Sequence, residues 1–87
     1  MLAYMEENNT ELRRAAAIAC ALKEARGSIG KLIDLLEDPE TPVQRAAHAA
    51  LETLTGQDLG PSAHASGREK TRAIAAWREW WKKNPAR

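Results

Sequence analysis

Cysteine is scarce in this chain of 87 residues, with Cys20 its single thiol. One thiol cannot close an internal disulfide, and no Cys/His spacing of the metal-binding kind accompanies it. Phe is absent, and so are runs of Val, Ile and Thr, which argues against strands. No apolar run approaches the ~20 residues that span a bilayer. Met1 to Asn9 is too short and too acidic for a signal peptide. A soluble chain is expected, and nothing in it names a compartment. An excess of charge is also missing. Thirteen Lys and Arg face 12 Asp and Glu, interspersed, so no strong field for nucleic acid or membrane is expected. There is no phosphate loop, no Ser/His/Asp order and no paired carboxylate with an evident pocket. Neither enzymatic chemistry nor a cofactor is expected.

What is abundant is Ala, Leu, Glu, Arg and Lys, the strong helix formers. Leu12-Arg13-Arg14-Ala15-Ala16-Ala17 is echoed by Val43-Gln44-Arg45-Ala46-Ala47-His48 at an offset of 31 residues. A repeat of that length points to stacked helical hairpins. The apolar spacing predicts four helices. The first runs from about Thr10 to Ala25, capped by Asn9 or Thr10 and ended by Gly27. The second covers about Ile29 to Glu37, with Ser28 as its cap. The third starts at Thr41, which forms a capping box with Gln44, has Pro42 at a favoured early position, and stops at Gly56. The fourth runs from about Gly67 to Lys83, opened by a second box, Ser66 with Glu69. Gln57 to Ala65 is left as a loop, long for a helical hairpin. The expected core is Leu12, Ala16, Ala19, Cys20, Ile29, Leu32, Ile33, Leu36, Val43, Ala47, Ala50, Leu51, Leu54, Ile74, Trp77 and Trp81.

Asp38-Pro39 followed by Val43-Gln44-Arg45-Ala46-Ala47 and Ala50-Leu51 resembles a HEAT-type repeat, of the short kind shared with phycobilisome-lyase-like HEAT repeats. Ile29 to Leu36 resembles the second helix of that pattern, and Leu12 to Cys20 another first helix. The tail, Thr55-Gly56-Gln57-Asp58-Leu59-Gly60 with Trp77-Arg78-Glu79-Trp80-Trp81, resembles the carboxy-terminal ends of some bacterial, planctomycete-like HEAT-repeat proteins. The resemblance implies an all-α fold: a short α-solenoid of two antiparallel hairpins in a single domain over 1–87. Repeat 1 would cover about 10–37 and repeat 2 about 41–83, closed by a Trp-rich capping helix. It also implies a ladder between repeats in which Asp38 meets Arg14 and Arg45. Lys23 departs from the pattern, since the second copy has the apolar Leu54.

The function expected is a protein–protein interaction module, the carboxy-terminal end of a larger HEAT-like array. Binding would use a helix face or the loop, with Trp80, Asp58, Leu59 and His64 as candidate contacts. Trp77 and Trp81 fit better as core or cap than as hot spots, whereas Trp80 suits partial burial and partner contact equally. His48 and His64 read as unrelated solvated histidines, because neither has a ligand at a recognised metal spacing. The acids Asp34, Glu37, Asp38 and Glu40 crowd one turn, and an internal arginine ladder would compensate them. Two alternatives stay open: nucleic-acid binding through the basic side chains of the first and last helices, and weak self-association through an open edge near Leu2, Tyr4, Ile18 and Leu22.

Overall fold

In the computed structural model, which describes residues 9–62 and 64–84, every regular element is a helix. The first, α1, spans Thr10–Leu22. Asn9 starts it, its side-chain oxygen accepting the N–H of Glu11 at 2.9 Å and of Leu12 at 3.2 Å, which satisfies two donors that the first turn leaves unpaired. The helix ends short of the expected Ala25. The Ala25 N–H donates to the Cys20 carbonyl and the Glu24 N–H to that of Ala21, the paired bonds of a left-handed helix stop. The left-handed residue is Glu24, at φ 52°, not the glycine at position 27. A 3₁₀ turn, Arg26–Ser28, leads into α2, Ile29–Leu35. Ser28 is buried but makes no side-chain cap bond. Past Leu35 the chain tightens into successive three-residue-offset bonds, from Leu36 to Ile33, Glu37 to Asp34 and Asp38 to Leu35.

Helix α3 covers Thr41–Thr55 with Pro42 in its first turn. The Thr41/Gln44 box does not form. Glu40 holds the cap position without a side-chain bond, while the Gln44 amide donates to the Asp38 carbonyl and Asp38 Oδ2 accepts the Glu40 N–H at 2.8 Å. The turn thus organises itself around Asp38. Gly56 stops α3 at φ 72°, a conformation that suits glycine. Helix α4, Gly67–Lys83, opens with the complete Ser66/Glu69 capping box.

Helix α1 lies along α3, and α2 packs on both α3 and α4. The shortest extent of the Cα trace is 16 Å, the thickness of two helical layers about 8–10 Å apart. The radius of gyration is 11.7 Å, near the ~12 Å of a compact chain of this size. Cys20, Ile29, Leu32, Val43, Leu51 and Trp77 sit fully buried between the layers. Three residues expected in the core lie elsewhere. Leu12 is 40% exposed; among the described residues no helix packs on its face of α1. Ala19, on the same side, is half-buried, and so is Trp81. The Trp81 indole lies over α2 at Gly30, where an added Cβ would stand 3.4 Å from its Nε1.

Candidate functional site

Asp38 is 8% exposed, and its cation is Arg13, not Arg14 or Arg45. Arg13 Nε donates to Asp38 Oδ1 at 2.8 Å and Nη2 to Oδ2 at 3.4 Å. Arg14, one position on and so about 100° around the helix, points instead toward Glu11, at 4.0 Å. A second arginine does similar work at the other end: the Arg26 guanidinium donates to the Leu54 carbonyl in the last turn of α3. Asp34 and Glu37 are met by Arg78 of α4, at 3.1 and 3.4 Å. Asp34, Glu37 and Asp38 of the acidic turn are therefore met by cations from within the fold.

The long loop, residues 56–66, is tied down at several points. Trp77 Nε1 donates to the Gly60 carbonyl at 2.6 Å, and Leu59 packs half-buried against the core. Trp80 is also half-buried and meets Trp77 edge to face, with centroids 6.4 Å apart and planes at 80°. Asp58, exposed on the loop, accepts the Gly60 N–H at 3.1 Å and lies 2.9 Å from His48 Nε2. The His48 hydrogen bond, then the Gly60 amide, hold the Asp58 carboxyl below its ordinary value of 3.8. Glu52, one turn along α3, is 3.2 Å from the same His48 nitrogen. His48 is therefore no isolated histidine: it gathers two carboxylates. His64 is exposed and joins none of these contacts. Of the four loop-side candidates, the structure brings Leu59 and Trp80 against the core, links Asp58 to α3 and leaves His64 apart. Glu52 was not singled out by the sequence. The available signal was its four-residue spacing from His48, which places both on one helix face.

The second notable surface is on α1. Leu12, Ile18 and Leu22 are 40%, 39% and 81% exposed. Ile18, Ala21 and Leu22 line a shallow apolar groove with Ala46, Ala49 and Thr53 of α3. Leu2 and Tyr4, the other members of the expected open edge, lie outside the described residues. The 31-residue offset allows a direct comparison of the two copies. Val43, Ala46 and Ala50 are buried, while their counterparts Leu12 and Ala15 are exposed and Ala19 is half-buried. Immediately beside these positions on the same helices, Ala16 and Ala47 are both buried, as are Cys20 and Leu51. Among the described residues no helix is long and apolar enough to cross a membrane. Comparison of the chain with protein-family models, curated proteins and solved structures returned no match.

Proposed function

We propose that the chain is a protein-interaction module that forms the carboxy-terminal end of a larger HEAT-like array. The observation that carries this reading is the unequal burial of equivalent positions. In the second copy Val43, Ala46 and Ala50 are all covered; in the first, Leu12 and Ala15 are exposed and Ala19 is only half-buried. Small residues on such a face let another helix approach closely, and the flanking Leu12 and Leu22 supply apolar area to bury. A helix presented by a neighbouring unit would lie on α1 as α1 lies on α3. In this reading α4 closes the other end, with Trp77 filling the core and Trp80 and Trp81 shielding it. Helix α1 packs on α3, and α2 on α3 and α4; in this reading these are the contacts between successive hairpins of a stack.

Site-specific photo-crosslinking tests the reading. A photoreactive residue at position 15, on the open face of α1, should capture a helical segment of another unit or protein. The same residue at position 72, on the exposed side of α4, should not. Equal yields at the two positions, or none at position 15, would overturn the assignment of α1 as the docking face.

A further inference from the structure

We propose that His48, Glu52 and Asp58 form a binding site for one divalent transition cation of the zinc class. One ligand atom from each of the three residues can be chosen so that all lie within 4.8 Å of one another. His48 Nε2 is 2.9 Å from Asp58 Oδ1 and 3.2 Å from Glu52 Oε1. Bonds of about 2.1 Å to a metal put neighbouring ligands about 3.0–3.4 Å apart in octahedral or tetrahedral shells, so small side-chain rotations would admit the ion. The three groups come from two segments held in place independently. His48 and Glu52 share a face of α3 through their four-residue spacing. Asp58 belongs to a loop fastened by the Gly60 N–H at 3.1 Å, and Gly60 is fastened in turn by Trp77 at 2.6 Å.

The charge balance points the same way. The ion pairs of Glu52 and of Asp58 both run to His48, and a neutral imidazole has one N–H at most to offer two carboxylates. Two anions so placed are best neutralised by a positive charge in the space they share. Lys70, which lines the adjoining concavity with Arg45 and His48, directs its ammonium to Gln44 Oε1 at 3.5 Å instead. One nitrogen with two carboxylate oxygens suits zinc and its neighbours better than magnesium or calcium, which take oxygen ligands. Water would complete the shell.

The test is calorimetric titration of the folded chain with zinc chloride at neutral pH, alongside His48→Gln, Asp58→Asn and His64→Gln. The wild type and His64→Gln should each bind one zinc ion. His48→Gln and Asp58→Asn should lose at least about tenfold in affinity, the smaller loss seen when only an outer partner of a metal ligand is removed. Affinity should fall as the pH is lowered, because protons compete for the ligands. Asp58 is exposed on the loop, so its variant keeps the test valid should the His48 variant unfold. Absence of saturable binding below about 100 μM zinc, or wild-type affinity in Asp58→Asn, would overturn the site.

Discussion

Asp38 and Arg13 show how much one side chain's direction decides. With side-chain exposures of 6% and 12%, the pair fastens α1 to the turn between α2 and α3, and Asp38 also accepts the Glu40 N–H. Replacing Asp38 by Ala takes the Asp38 carboxylate away from a largely buried guanidinium and leaves a turn without its organiser. A loss of about 3 kcal/mol is expected, read as a shift in the urea unfolding midpoint. Arg45→Ala, on an exposed position, should change stability by less than about 0.5 kcal/mol. Asp38 was singled out through the resemblance of its Asp-Pro turn to a HEAT-type repeat. The base was not, because Arg13 and Arg14 differ only by one step around α1, and the rotation of α1 against α3 decides which of them faces the turn.

Asp58 carries the second prediction at this scale. Its folded-state carboxyl titrates below 3.8, chiefly through the His48 hydrogen bond. A depressed folded value stabilises the fold above the unfolded value, and that contribution disappears as pH falls through the folded one. Carboxyl carbon NMR should therefore find Asp58 titrating lower in the wild type than in His48→Gln. Coincident curves would show that His48 does not govern the group. The sequence concealed this contact because His48 and Asp58 lie on different segments, and only the fastening of the loop at Gly60 brings them together.

At the level of the elements, helix starts were read more reliably than stops. The Ser66/Glu69 box needs only residues three apart and forms as expected, as does the Asn9 cap. The first stop was misplaced because Gly27 is the obvious left-handed residue, yet the chain uses Glu24. Packing of Cys20 and Ala16 against α3 fixes the earlier turns and leaves the exposed Glu24 to adopt the unfavourable backbone. Glu24→Gly should therefore stabilise the protein by about 0.5–1 kcal/mol, the left-handed penalty outweighing glycine's entropy in the unfolded chain. Thermal melting should show the rise. Trp77 is the opposite case: a fully buried ring with its N–H satisfied by Gly60. Trp77→Ala should cost about 3–5 kcal/mol in urea unfolding. Its burial was legible from the Ile74/Trp77/Trp81 spacing, although Trp81, near the end of the helix, is only half-covered.

For the whole molecule, the all-α class and the four α-helices of the described residues were legible from composition and periodicity, since four amphipathic segments without runs of strand formers have few other ways to bury their stripes. Less legible was which stripe would stay open. Leu12 follows the core pattern as faithfully as Val43, and a sequence pattern cannot tell whether a neighbour is present to cover it. The open side of α1 should make the isolated chain weakly self-adhesive. Light scattering should find an apparent mass that rises with concentration in the wild type and stays flat in Ala15→Glu. A substitution at that exposed position should leave the fold intact, changing stability within about 0.5 kcal/mol. A constant mass in both would show that the α1 face does not pair with itself.

The bond from Trp77 to Gly60 closes a ring of chain across 17 sequence positions. For a flexible segment of that length, closure costs on the order of 2–3 kcal/mol of chain entropy, which the burial of one indole can offset. The fourth helix is thus moored twice, by its packing on α2 and by its grip on the loop that leads into it. A longer loop adds little to the closure cost, because the entropy grows only with the logarithm of length. Residues could therefore be inserted between Ser62 and Ser66 with small effect on folding, while the ring from Gly60 to Trp77 keeps the loop's other end in register with α3.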